Sequence, residues 1–162
     1  MYKPDQTDWK IIALLNKDGR MSSAEIAREL GDVSARTIKN RIDALTQHGI
    51  INIRSIINPE ALGYDVLADV FIETEPGQLR AVADSVAQMS LVTYVACATG
   101  DTDIIISVRA HDIKELYNFV LEQVENIPGV RHTKTFPLPL SLKGNDTWMP
   151  PDVGDTENHN SS

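Results

Sequence analysis

Apolar positions in the first third of the chain recur at helical spacing, and those beyond it fall into short strand-like runs separated by longer helical patterns. Ile11, Ile12, Leu14 and Leu15 form a stripe that predicts a helix beginning at Thr7 or Asp8 and stopping at Asp18-Gly19. Ser22 with Glu25 three residues on reads as a capping box for a short second helix, whose buried side is Ile26, Ala27 and Leu30 and whose stop is Gly31. Ser34 caps a third helix, Ala35 to about His48, with Ile38, Ile42 and Leu45 on one face and Gly49 after it. The run Ile50-Ile51-Asn52-Ile53-Arg54-Ser55-Ile56-Ile57 predicts β structure, a wing beside the third helix.

After a connector at residues 59–63, Tyr64 to Glu73 predicts a strand, and Pro76-Gly77 opens a helix carrying Leu79, Val82, Val86 and Met89. Leu91 to Thr99 and Asp103 to Arg109 flank the turn pair Gly100-Asp101 and predict a hairpin. Asp112 caps a long helix through Ile127 with Ile113, Leu116, Tyr117, Val120, Leu121 and Val124 inward, and Val130 to Leu140 supplies a last strand. The order βαββαβ is that of a ferredoxin-like unit, whose two helices cover one sheet face and leave the other free for a partner. The expected fold class is therefore α+β: an N-terminal winged helix-turn-helix over 1–58 plus a C-terminal ferredoxin-like βαββαβ domain over 64–143. Residues 144–162 are acidic, polar and broken by Pro and Gly, as in a disordered tail, with Trp148 and Met149 as its exceptions: they either dock on a neighbouring subunit or have no fixed place.

Charge changes this picture more than composition does. The net charge is -8, yet residues 1–58 carry +2 and residues 59–162 carry -10, so the two parts are different electrostatic objects. The lone cysteine, Cys97, lies in the apolar run Val95-Ala96-Cys97-Ala98 and is expected to be a buried thiol without a disulfide partner. Four dispersed histidines, no phosphate loop and no ligand-spaced His/Cys/carboxylate set argue against an enzyme, a metal site or a cofactor. No apolar run spans a bilayer and the N-terminus has no secretory pattern, so the expected location is cytoplasmic.

Two short helices joined by a tight Gly-containing turn have the spacing of a helix-turn-helix, whose second helix enters the major groove of double-stranded DNA. At about 100° per residue, Ile42 and Leu45 lie within roughly 40° of Ile38, whereas Arg36, Lys39, Asn40 and Asp43 occupy the opposite arc. Arg36 and Asn40 carry forks suited to guanine and adenine edges, Lys39 suits a phosphate, and Arg54 on the wing reaches backbone or minor groove. Ser34, Thr37 and Arg41 hold phosphates or the helix itself. A domain of only +2 neutralises few phosphates, so useful affinity requires two or more copies on repeated half-sites.

The chain resembles the Lrp/AsnC (feast/famine) regulators over about residues 5–143. The residues that carry the resemblance are Asp8, Ile11-Ile12, Leu14-Leu15, Asp18-Gly19-Arg20 and Ser22, Ile26-Ala27, Ser34, Thr37-Ile38, Arg41-Ile42, Leu45 and Gly49-Ile50-Ile51 in the first part. Asn58-Pro59, Leu62-Gly63, Thr99-Gly100-Asp101 with Asp103, and Ile127-Pro128-Gly129-Val130 with Thr133 and Thr135 continue it. The resemblance implies a transcription regulator that pairs its sheets as a homodimer, assembles further into tetramers of dimers, and responds to an amino-acid effector. Two features depart from the pattern: the Leu30–Ser34 turn is one residue longer, and Thr102 stands where the hairpin motif has an aromatic residue. Thr99, Gly100, Asp101, Thr102 and Asp103 are the candidate effector residues, because backbone N–H groups beside a glycine suit an α-carboxylate and the two aspartates suit an α-ammonium. The alternative is a plain tight turn with Asp103 as a capping group. At the level of the whole protein, the alternative to a DNA-binding regulator is an amino-acid-sensing oligomer whose helix-turn-helix does not bind DNA.

Overall fold

The computed structural model describes residues 2–143 and 148–151, which divide into two compact units separating between Ile56 and Ile57. The sequence places that boundary two residues later. The expectation of a disordered tail falls on residues 144–147 and 152–162, which lie outside the described residues; within 148–151, Trp148 is exposed and Met149 half-buried.

The first unit is three helices, α1 (Gln6–Lys17), α2 (Ser23–Leu30) and α3 (Ala35–Gln47). Local caps fix each start. Ser22 and Glu25 form the expected capping box, and Ser34 Oγ accepts from the Thr37 N–H at 3.2 Å. In α1 the cap is Asp5, not a residue at the Thr7 position: its carboxylate accepts from the Asp8 N–H while Asp8 reaches back to the Asp5 N–H, so the helix begins one residue earlier than its apolar stripe suggests. Ile11, Ile26 and Ile38, one from each helix, are fully buried against one another. Each such side chain contributes about 1.5–3 kcal/mol of burial, and together they set how α3 is presented.

The second unit is a four-stranded antiparallel sheet in the order β2-β3-β1-β4, built from β1 (Val66–Thr74), β2 (Val92–Cys97), β3 (Ile104–Ala110) and β4 (Val130–Pro137). Helix α4 (Leu79–Val86) packs on β2 and β3, and α5 (Ile113–Phe119), prolonged by a π-helical turn at Val120–Val124, packs on β1 and β3. The two central strands, β1 and β3, alternate cleanly. Ala68, Val70 and Ile72 of β1 and Ile104, Ile106 and Val108 of β3 point at the helices, which answer with Val82, Val86, Leu116, Phe119, Val120 and Val124. Their intervening residues form the uncovered face. This is the expected ferredoxin-like arrangement, with the predicted β2–β3 hairpin in place.

Four expectations need correction. Residues 51–58 have no regular secondary structure and pair with no strand, so no wing forms within one chain among the described residues; a strand needs a ladder partner, and a hydrophobic run alone does not supply one. Ile53, Ile56 and Ile57 are accordingly exposed. Cys97 is exposed as well, because β2 is an edge strand and its far end has a neighbour on one side only. Ile113, Tyr117 and Leu121 are exposed although they sit in the apolar pattern of α5, because they form an i, i+4, i+8 stripe displaced around the helix from the Leu116–Val120 stripe that meets the sheet. The long helix expected through Ile127 ends instead in the π turn at Val124, where the Glu125 N–H donates to the Val120 carbonyl at 2.9 Å.

Candidate nucleic-acid interface and effector cavity

The α2–α3 turn reverses at Gly31, whose φ of 77° lies in a region that side-chain-bearing residues rarely adopt. From there Ser34 starts α3, and burial of Ile38 and Leu45 turns the opposite side of the helix to solvent. Ser34, Arg36, Thr37, Lys39 and Asn40 are all exposed on or beside that side, and Arg54 is exposed in the irregular segment beyond. Ser34 Oγ and Thr37 Oγ1 lie 2.9 Å apart and are engaged with each other as well as with the helix start. Arg36 makes no ion pair among the described residues, whereas Lys39 Nζ lies 2.6 Å from Asp43 Oδ2 on the next turn.

Arg41 is placed differently from the other six. Its Nη1 donates to Asp5 Oδ2 at 2.8 Å and to Asp8 Oδ1 at 2.9 Å, and only 29% of its side chain is exposed. Asp8 is buried, and its other oxygen accepts from the Tyr2 hydroxyl at 2.9 Å and from the Asp5 N–H at 3.0 Å. The hydrogen bonds that Arg41 donates, to Asp5 first and then to Asp8, hold its guanidinium proton more tightly than usual, and those that Asp5 accepts, from the Asp8 N–H first and then from Arg41, hold its carboxyl below the ordinary value. Of the two roles that the sequence leaves open for Arg41, the contacts favour holding the helix: the side chain ties α3 to α1 and has little freedom to reach a phosphate.

The hairpin residues separate in a similar way. Asp103 Oδ2 accepts from the Thr74 N–H at 2.7 Å and from its hydroxyl at 3.0 Å, and the backbone bond is the main reason that its carboxyl is held low. Its carboxylate therefore closes the end of the β1–β3 pair, the capping alternative. Thr102 Oγ1 donates to the Ile72 carbonyl at 3.2 Å. Thr99 and Gly100 are exposed at the turn, and Asp101 and Thr102 open onto a cavity of about 270 Å³ on the uncovered sheet face. Its other walls are Phe71, Glu73, Lys134 and Phe136.

Sequence reasoning missed those four residues because nothing local marks them. Strand register brings them together: Phe71 stands opposite Lys134, and Phe136 is two residue pairs along the same ladder, on the same face. Phe71 and Phe136 meet edge to face with centroids 5.2 Å apart. Glu73 bonds Arg131 at 2.8 Å and lies 3.6 Å from Lys134, so one carboxylate is shared by two cations and the Lys134 ammonium is loosely held. The cavity thus combines an aromatic wall, a cation and the Asp101 carboxylate, which makes no ion pair among the described residues. The only hint in the sequence is the alternation of β1, which leaves Phe71 and Glu73 on the face away from the helices.

Comparison with known proteins agrees with this division. Residues 5–46 match the AsnC-type helix-turn-helix domain and residues 67–144 match the Lrp/AsnC ligand binding domain. The HTH-type transcriptional regulator FL11 of Pyrococcus furiosus is 37% identical over 147 residues, covering 90% of this chain and 95% of that protein. An uncharacterised HTH-type transcriptional regulator of Pyrococcus abyssi is 36% identical over 132 residues, covering 81% and 83%. Among solved structures, AsnC of E. coli superposes with a TM-score of 0.83 at 27% identity, covering 88% of this chain and 97% of that one. A transcriptional regulator of Neisseria meningitidis, solved as a complex with L-Met, shares the fold with a TM-score of 0.86 at 21% identity, covering 93% and 99%.

Proposed function

Because the chain belongs to the Lrp/AsnC family of transcriptional regulators, we propose that it binds double-stranded DNA sequence-specifically as a homo-oligomer and that an amino acid modulates it. The observation that carries the DNA reading is the outward side of α3, where Arg36 and Asn40 stand one turn apart, exposed and without ion-pair partners among the described residues. Arg36 addresses guanine O6/N7 and Asn40 adenine N6/N7, Ser34, Thr37 and Arg54 address the backbone, and Lys39 is placed for a phosphate but held by Asp43. Arg41 orients the helix that does the reading. Oligomers place two such helices on repeated half-sites, which compensates for the small positive charge of each unit.

The effector reading rests on the cavity beside the hairpin. Lys134 suits an α-carboxylate, Asp101 an α-ammonium and the Phe71–Phe136 pair an apolar side chain, with Thr102 in the lining beside Asp101. Thr99 and Gly100 contribute backbone groups at the turn, and Asp103 holds the hairpin against Thr74. The relative from Neisseria meningitidis, captured with L-Met, supports an amino acid as the ligand class.

Fluorescence anisotropy on duplexes selected from a random library by the wild-type protein tests the first reading. Each good bidentate base contact is worth about 1–3 kcal/mol, so Arg36→Ala/Asn40→Ala weakens binding to the selected duplex by one to several orders of magnitude per helix. Unchanged binding would remove α3 as the reading element, and no binding by the wild type would leave an amino-acid-sensing oligomer that does not use DNA. A thermal-shift series over the twenty amino acids, repeated with Lys134→Ala, tests the second.

A further inference from the structure

On the reading that α3 enters the groove, one feature of its outward side works against binding. Asp43 lies roughly 140° around the helix from Ile38, between Lys39 at about 100° and Arg36 and Asn40 at about 160° and 200°. It is thus an anion at the centre of the side that faces DNA, exposed and one turn beyond Lys39. Its Oδ2 lies 2.6 Å from Lys39 Nζ. Both side chains are more than half exposed, so the pair adds little to helix stability, and stability does not account for an acid in that place.

The cations of α3 are Arg36, Lys39 and Arg41. Asp5 and Asp8 neutralise Arg41, and Asp43 neutralises Lys39. That leaves Arg36, the side chain best suited to a base edge, as the one cation of α3 with no ion pair among the described residues. We propose that Asp43 is a specificity-determining residue: an intrahelical counter-ion that withholds Lys39 from phosphates and so suppresses binding not supported by base contacts. Non-specific binding is electrostatic and scales with the number of phosphates neutralised, whereas base readout is short-ranged and insensitive to one neighbouring carboxylate. An acid in this position lowers the first more than the second.

The test is anisotropy with poly(dI-dC) and with a duplex selected by the wild-type protein, each titrated from 50 to 200 mM salt, for wild type, Asp43→Asn, Lys39→Ala and the double variant. Asp43→Asn keeps size and polarity at an exposed position, and circular dichroism checks that the helix is intact. One more neutralised phosphate steepens the logarithmic salt slope by about 0.9 and tightens binding about eightfold per engaged helix at 0.1 M salt. The expected result is that gain on poly(dI-dC) for Asp43→Asn, a smaller gain on the selected duplex, almost no change in poly(dI-dC) binding for Lys39→Ala, and loss of the gain in the double variant. An unchanged slope in Asp43→Asn overturns the proposal. So does weaker binding to the selected duplex with poly(dI-dC) unaltered, which would make Asp43 a reader of cytosine. If neither wild type nor Asp43→Asn binds any duplex, the DNA reading fails along with it; if the wild type binds and the variant behaves identically, only the role of Asp43 fails.

Discussion

Arg41→Ala separates a residue that holds the reading helix from one that touches DNA. The substitution removes two charge-assisted hydrogen bonds, to Asp5 at 2.8 Å and to Asp8 at 2.9 Å. Asp5 is about half exposed, so its share is at most about 1 kcal/mol after solvent screening. Asp8 differs because its side chain is only 2% exposed: without the guanidinium its charge is left with the Tyr2 hydroxyl and the Asp5 N–H alone. One charge-assisted bond to a buried group is worth about 1.5–3 kcal/mol, which brings the expected loss to about 2–4 kcal/mol, a large part of the stability of a three-helix unit. Arg36→Ala, which breaks no ion pair among the described residues, stays within about 0.5 kcal/mol. Trp9 in α1 reports the unit by fluorescence once the second tryptophan is removed as Trp148→Phe, and urea titration of the full chain gives both values. The two variants should show opposite profiles, Arg41→Ala losing stability and Arg36→Ala losing affinity for the selected duplex. Equal stability of the two, with Arg41→Ala losing affinity, would refute the clamp and restore Arg41 to the phosphate contacts.

Three further outcomes follow from the sheet unit. Gly129 has φ +96° and a Cβ there would stand 2.6 Å from Gln78 Cβ, so Gly129→Ala costs about 2–4 kcal/mol in urea denaturation followed by circular dichroism; Gly19→Ala, with 3.7 Å to its nearest neighbour and no positive φ, serves as the mild control. Asp103 titrates below its usual 3.8 because of its bonds from Thr74, so its stabilisation is fully present above that value and is lost as pH falls through the lower folded value. The stability difference between wild type and Asp103→Asn is therefore constant from pH 7 to 5 and shrinks below about 4; a difference that widens in acid would contradict the Thr74 assignment. If the uncovered sheet face joins copies of the chain, Phe71→Asp lowers the mass measured by light scattering, and an unchanged mass puts the assembly elsewhere.

What could be read from the sequence has a common physical origin, and so does what could not. Ser22 with Glu25, Ser34 with Thr37, and Asp112 with Glu115 act over three residues, and the chain itself brings such partners together. Alternation along β1 and β3 likewise marks the buried face without knowledge of the neighbour, which is why the domain order and the core were legible. Arg41 was not, because its partners lie 33 and 36 residues away and a guanidinium on a helix looks the same whether it meets phosphate or aspartate. Asp103 is explained by Thr74, 29 residues earlier, and the cavity exists only because β4 returns beside β1 to set Lys134 against Phe71. The isoleucines at 50–57 and Cys97 erred in the other direction: an apolar run specifies that burial is favourable, not that a partner strand or a covering helix is present. The same limit bears on Asp43. Its charge reads as solvated polarity in the sequence, and only the 2.6 Å contact with Lys39, set beside the committed Arg41, turns it into a statement about which phosphates the helix can reach.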